Sequence, residues 1–258
     1  MDGLLGQHIR MEESMSTSLI SAQGIINWRG ELPPIDSDGR LEEVVGTDDF
    51  QNPWFLEKGW EKSRPVGLIP RKGTAFLVSD NVLMTNWHVF RREDWAAGKK
   101  IIFNVEQDSD GLPRRDTEEF ELNPSRLFYS NENLDYAIVY VEGDAASNRG
   151  YVNISSQGEI SEDSRVNIVQ HPNGGLKKIA IRNNGIKYFD SELIQYWADT
   201  DHGSSGSPVF DEYWEIIGLH YQHDYIDGTG GTNKIFYNEA HRIDKIYTDI
   251  LSQGIQLY

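Results

Sequence analysis

Cysteine is absent from the 258 residues, which excludes disulfides, zinc-thiolate centres and a thiol nucleophile together. Basic residues are scarce: 24 Lys and Arg stand against 41 Asp and Glu, a formal net charge of -17. Such a surface repels a phosphate backbone, so nucleic acid is not an expected partner. No apolar run approaches the roughly 18 residues that would span a bilayer. The opening MDGLLGQHIRMEESMSTSLI also lacks the basic region and apolar stretch of a secretory signal. The expectation is a soluble, cytoplasmic protein with no membrane contact.

What the chain does have is 38% hydrophobic and 11% aromatic content, enough for a sizeable core. Residues 1–40 end in ELPPIDSDGR, a turn-rich stretch that reads as an extension or linker. Pro53 suits the first turn of a short helix that Arg64-Pro65 should end. Beyond it, GTAFLVS, NVLMTNW, KIIFNVE, DYAIVYVE, RVNIVQH, KKIAIRN, IQYWA, SPVFD, EIIGLHY and KIFYN are short, rich in β-branched and aromatic residues, and separated by turn formers. Asn173-Gly174 marks a hairpin, and GTGGTNK reads as a hairpin loop. Ile243, Ile246, Tyr247 and Ile250 recur with a helical period, so a helix over about 239–252 should close the chain. Antiparallel β-barrels fit this spacing better than βαβ units.

The stretch GSSGSPVF places Ser205 between glycines. A serine hydroxyl attacks a carbonyl only with a base beside it, a group to orient that base, and donors for the oxyanion. The N–H groups of Gly203 and Ser205 can converge as those donors. Of the seven histidines, His88 stands at the end of a strand pair in GTAFLVSDNVLMTNWHVF, where its ring is presented at a hairpin end. Asp135 opens LDYAIVYV behind the polar NEN, a strand mouth suited to an ionised, orienting acid. His171, in Gln170-His171-Pro172, is expected to serve turn structure. His223, Asp224 and Asp227 lack a recognised metal-ligand spacing, so no metal or other cofactor is expected.

These motifs, GTAFLVS with TNWHV, LDYAIV, and GSSGSPVF with IIGLH, resemble the chymotrypsin-like serine peptidases, in particular the bacterial trypsin-like branch that includes the glutamyl endopeptidases. The order His88, Asp135, Ser205, at intervals of 47 and 70 residues, is similar to the family's, and the resemblance runs from about Leu41 to the C-terminal helix. It implies an all-β fold of two six-stranded antiparallel barrels, one over about 60–145 and one over about 160–238, with the catalytic groups in the cleft between them. It also implies acyl transfer on protein or peptide substrates. The rival readings are a peptidase fold that binds peptides without cutting them, and an esterase using the same triad.

In such a fold the residues before the nucleophile line the pocket for the side chain preceding the cut: here Asp199, Thr200, Asp201 and His202. Thr200 and His220 match positions where the glutamyl endopeptidases carry a threonine and a histidine, which leans toward an acidic side chain. Asp199 is the carboxylate that trypsin-like enzymes use to attract Lys or Arg, so the two signals conflict. The stretch RLEEVVG looks like an activation junction, with cleavage after Glu43 exposing Val44. Ser204, however, stands where the family has the aspartate that pairs with a new N-terminus. Similarity to bacterial modules that accompany signalling or defence proteins suggests restraint by a regulatory partner or a narrow cleavage site.

Overall fold

The structure, a computed structural model, describes residues 50–155, 157–162, 164–227 and 234–257. The linker, the Glu43-Val44 junction and most of the GTGGTNK loop lie outside the described residues.

Helix α1 (Trp54–Ser63) starts directly after Pro53 and ends ahead of Pro65, which has no N–H to continue the ladder; Arg64 between them keeps helical angles of φ -63° and ψ -42°. Strands then follow in chain order: β1 (Val66–Ile69), β2 (Gly73–Ser79), β3 (Val82–Thr85), β4 (Lys100–Phe103), β5 (Glu118–Glu121), β6 (Phe128–Asn131) and β7 (Tyr136–Tyr140), with a one-turn helix α2 (Glu93–Ala96) between β3 and β4. The second set is β8 (Asn167–Gln170), β9 (Lys178–Ala180), β10 (Ile186–Phe189), β11 (Leu193–Tyr196), β12 (Pro208–Phe210), β13 (Ile216–Asp227) and β14 (Lys234–Arg242), and helix α3 (Ile243–Ser252) follows. Among the described residues the strands form two seven-stranded sheets, ordered β5-β4-β1-β2-β3-β7-β6 and β10-β11-β14-β13-β12-β8-β9. Each named pairing is antiparallel. The architecture is a chymotrypsin-like pair of curled sheets.

Two expectations need correcting. Each sheet has seven strands where the resemblance implies six, and β1, β5, β6 and β10 are the strands whose sequence signatures are weak. The VGLI of β1 is buried at every position and so shows no alternation, and the EEFE of β5 is acidic on an edge. The last helix begins at Ile243 rather than 239, because residues 239–241 pair with β11 as Glu239↔Gln195, Ala240↔Ile194 and His241↔Leu193, and Arg242 remains extended.

Three apolar clusters hold these layers. One fills the first sheet around Leu77, Leu83, Phe90, Ile101 and Val139, and another fills the second around Ile168, Ile194, Tyr196 and Val209. The third joins the sheets themselves, packing Phe76, Met84 and Ile138 against Val169, Phe210 and Leu219. Ile243, Ile246 and Ile250 of α3 seal it, the face that their spacing predicts. A seam between sheets closed by a continuous core gives loops from both a fixed relation, and both loop sets carry the polar groups described next.

Candidate active site

The β2–β3 hairpin and β7 define one side of the seam. After β3, Val89 and Phe90 bury against the first sheet and their N–H groups bond back to Asn86 O, making a turn that holds His88. Asn86, fully buried, donates Nδ2 to the Asp135 carbonyl at 2.9 Å. Asp135 itself is buried and takes a left-handed φ of 42°, turning its carboxylate back toward the histidine. Its Oδ1 accepts the His88 main-chain N–H at 3.0 Å, and its Oδ2 lies 2.7 Å from His88 Nδ1. Facing a carboxylate, Nδ1 is the donor of this bond, so in the neutral ring the lone pair is on Nε2.

Helix α3 braces that arrangement from behind. Asp249 accepts bonds from Tyr136 Oη at 2.6 Å and Asn131 Nδ2 at 2.9 Å. Asn131 Oδ1 in turn accepts the N–H groups of Asn133 and Leu134, closing the turn that leads into Asp135.

Ser205 enters from the second sheet, in the loop before β12. Its carbonyl accepts the Thr74 N–H at 2.9 Å, and the Gly206 N–H and Ser207 O bond the main chain of His220 on β13 at 3.0 Å each. Gly206 has φ 86°, and a Cβ there would stand 2.2 Å from Thr74 O and 2.4 Å from Thr85 Oγ1. Only glycine admits this approach of the Ser205 loop to the strand ends that carry His88. The loop and the histidine turn thus meet at Thr74 and Thr85, themselves joined by Thr85 Oγ1 donating to Thr74 O at 2.8 Å. Among the described residues, His88 bonds to Asp135 and no hydrogen bond joins it to Ser205; such contacts commonly tighten only with substrate in place.

Within this loop the N–H groups of Ser204, Gly206 and Ser207 are taken by Asp201 O, His220 O and Ser204 O. Those of Gly203 and Ser205, the expected oxyanion donors, are given to no protein group among the described residues. Ser204 is fully buried, and its hydroxyl accepts the Asp201 N–H at 3.0 Å, so its side chain closes a turn within the loop.

Beside Ser205 and Gly203 lies a 460 Å³ cavity whose lining includes Asp199, Thr200, His202 and His220, the residues expected to bind substrate. Thr200 gives its hydroxyl hydrogen to Asn238 Oδ1 at 2.5 Å. His220 is held between Tyr196 Oη, 2.7 Å from Nδ1, and the Glu239 carbonyl, and burial pushes its pKa down to about 3. The ring is therefore uncharged at neutral pH. Asp199 is exposed and also borders a second cavity of 430 Å³, while no lysine or arginine lines the first among the described residues. His223 packs toward Phe236 and Asp224 accepts from Tyr237 Oη; no group of metal-ligating side chains converges among the described residues.

Sequence reasoning missed several supporting groups. Thr74 Oγ1 donates to Gly203 O at 2.8 Å and accepts the His171 N–H at 3.0 Å. Buried Glu239 accepts from Gln195, Tyr221 and Gln222, fixing the floor of the cavity. His171 does serve its turn, with Nδ1 2.9 Å from Gly175 O, and burial lowers its pKa to about 4.

Two buried, neutral histidines make stability pH-dependent. Both folded-state values lie below the usual value near 6.5, so the unfolded chain binds the extra protons and stability is lost as pH falls from about 6.5 toward 4. Each ring contributes about 1.4 kcal/mol per pH unit in that window. Calorimetry from pH 6 to pH 5 should show Tm falling by roughly 5–10 °C, with a smaller fall for His171→Gln.

A family model, the trypsin-like peptidase domain, matches residues 73–219, more than half of the chain. The chain belongs to the trypsin-like serine peptidases. Over 208 residues this peptidase chain is 32% identical to an uncharacterised protein, y4fB, of Sinorhizobium fredii, covering 70% of the chain and 31% of that protein. It is also 28% identical over 211 residues to secreted RxLR effector protein 73 of Plasmopara viticola, covering 71% and 52%. The chain thus spans about a third to a half of the length of these curated relatives. Among solved structures, a Glu endopeptidase in complex with MPD is similar at TM-score 0.51 and 16% identity, covering 74% of this chain and 90% of that one. A serine endoprotease from Yersinia pestis is similar at TM-score 0.52 and 17% identity, covering 82% and 67%. The two solved structures share the fold. Among the described residues no helix is long and apolar enough to cross a membrane.

Proposed function

We propose that residues 41–258 form an endopeptidase domain, preceded by a 40-residue extension, that cleaves peptide bonds through an acyl-enzyme on Ser205. The observation that carries this reading is the His88 Nδ1 to Asp135 Oδ2 contact at 2.7 Å on a seam to which the Ser205 loop is fastened. His88 Nε2 takes the Ser205 proton as the hydroxyl attacks, Asp135 stabilises the imidazolium, and the Gly203 and Ser205 N–H groups receive the oxyanion. His88 then returns the proton to the leaving amine, and water hydrolyses the ester.

For the side chain preceding the cut, electrostatics favour Lys or Arg over the acidic residue that His220 and Thr200 suggest by resemblance. His220 is uncharged, the Thr200 hydrogen is spent on Asn238, and the ionisable side chains bordering the cavity with a fixed charge at neutral pH are the carboxylates of Asp199 and Asp201. No Lys or Arg is in the lining itself among the described residues, and Lys187 Nζ is stacked on the rings of Tyr237 and Trp197, so a substrate carboxylate would meet two carboxylates first, which is costly in a partly desolvated site. Fluorogenic peptides differing only at that position should be cleaved fastest with Arg or Lys. Asp199→Ala should lower kcat/KM for those about 30- to 100-fold, a loss of about 2–3 kcal/mol, and leave Glu and Phe peptides little changed. Preference for Glu in the wild type, lost in His220→Ala, would reverse the assignment.

Control through a newly released ammonium is not part of this reading, since the Ser204 hydroxyl is engaged within its own loop. Restraint would come from a partner or from demanding substrate contacts. The non-cleaving alternative has one observation in its favour, the missing Ser205–His88 hydrogen bond; cleavage of any peptide by the wild type and not by Ser205→Ala removes it.

A further inference from the structure

The peptide between His202 and Gly203 decides whether the cleft has two oxyanion donors or one. The C=O and N–H of a trans peptide point in opposite directions, so fixing the His202 carbonyl fixes where the Gly203 N–H points. Gly203 must be glycine: its φ is 92°, and a Cβ would stand 2.8 Å from both Gly174 N and His171 O. A glycine at this position also leaves the preceding peptide free to rotate, because no side chain penalises the alternative φ. Something other than residue 203 has to hold the orientation.

One side chain and one main-chain N–H grip residue 202 at its two ends. Asp201 Oδ1 accepts the His202 N–H at 2.7 Å, and Asp201 Oδ2 accepts Asn173 Nδ2 at 2.7 Å. The Asn173 main-chain N–H donates to the His202 carbonyl, closing a ring of three bonds across the exposed rim of the cleft. Asn173, in the loop between β8 and β9, adopts φ 56° and gives its N–H to the neighbouring loop. The His202 and Asn173 bonds also hold the Asp201 carboxyl below the usual range, so the acceptor stays charged at neutral pH.

We propose that Asp201 and Asn173 form a latch that holds the 202–203 peptide with its N–H turned into the cleft, so that the oxyanion site is built without an N-terminal ammonium. In this role both are positioning residues, acting through the Gly203 N–H, whatever the Asp201 charge adds at the edge of the pocket. The inference rests on the peptidase reading of the site. It goes beyond that reading by naming what keeps the hole assembled in a chain whose Ser204 cannot make the usual ion pair.

The test is the rate of Ser205 phosphonylation by an alkyl fluorophosphonate, which carries no side chain for the specificity pocket. In that step the Ser205 O–P bond forms, the P–F bond breaks, fluoride leaves and His88 takes the proton, while the phosphonyl oxygen occupies the oxyanion site. Asp201→Asn keeps an oxygen for the His202 N–H but sets an amide nitrogen against Asn173 Nδ2. Asn173→Gly keeps the left-handed backbone and removes the side chain. Each should slow labelling at least 10-fold, with complete final stoichiometry and a Tm within about 3 °C of wild type, and Asn173→Gly, which lies outside the pocket lining, should change KM for peptides less than 3-fold. The double variant should be no slower than the slower single variant, since both break one device. Labelling at the wild-type rate, or reduced stoichiometry at an unchanged rate constant, would overturn the latch while leaving the peptidase reading intact. A wild type that does not label at all would overturn both.

Discussion

Asp135→Asn should lower kcat/KM about 10⁴-fold at neutral pH while leaving the fold and KM nearly unchanged. The geometry dictates which way the new amide faces. Oδ1 of Asp135 receives the His88 main-chain N–H, so in the variant the amide oxygen must occupy that place and the NH2 group must face the ring at the Oδ2 position. An NH2 donor opposite Nδ1 forces the hydrogen onto Nε2. Nε2 then has no lone pair for the Ser205 proton, and the attack loses its base. The same variant loses the charge that stabilises the imidazolium. Calorimetry and steady-state kinetics on one preparation check both parts: a wild-type Tm with activity within 10-fold of wild type would show that this carboxylate does not set the tautomer.

Gly206→Ala should be the most damaging single methyl group in the described structure. At φ 86° the added Cβ meets Thr74 O at 2.2 Å and Thr85 Oγ1 at 2.4 Å, and neither can retreat. Thr74 lies in β2, where every residue is buried, and Thr85 in β3, buried at all four positions. Backbone strain and overpacking add, for more than about 4 kcal/mol, equivalent to a Tm lowered by roughly 10 °C or more. Because the displaced loop is the one that brings Ser205 to the seam, activity should vanish even in molecules that stay folded. A variant with wild-type Tm and turnover would contradict the close approach described above.

The central parts of the candidate site are legible in the sequence because each is announced locally. A glycine-flanked serine, a histidine at a hairpin end and an aspartate before an apolar strand each carry their signal within a few residues, and the strand alternation around them is strong. The supports were not legible. Thr74 reaches Gly203 across 129 residues and His171 across 97, and Asn173 reaches Asp201 across 28; nothing in the local composition marks those partners. Strand β1, buried throughout, lacks a period-2 signature, and β5 hides its strand character under glutamates. The start of α3 was misplaced because Glu239 and His241 suit a helix as well as a strand, and pairing with β11 decides between them. The residues proposed for the pocket stand out in the sequence, but their chemistry depends on hydrogen bonds to Asn238 and Tyr196 that only the folded arrangement reveals.

The account stands on Ser205 being a nucleophile activated by His88. Intact-mass analysis after exposure to an alkyl fluorophosphonate, followed by peptide mapping, tests this directly. One adduct per chain on Ser205, absent in Ser205→Ala and slowed at least 1,000-fold in His88→Ala, is the result expected. No adduct on the folded wild type, or an adduct on another residue that persists in Ser205→Ala, would contradict it.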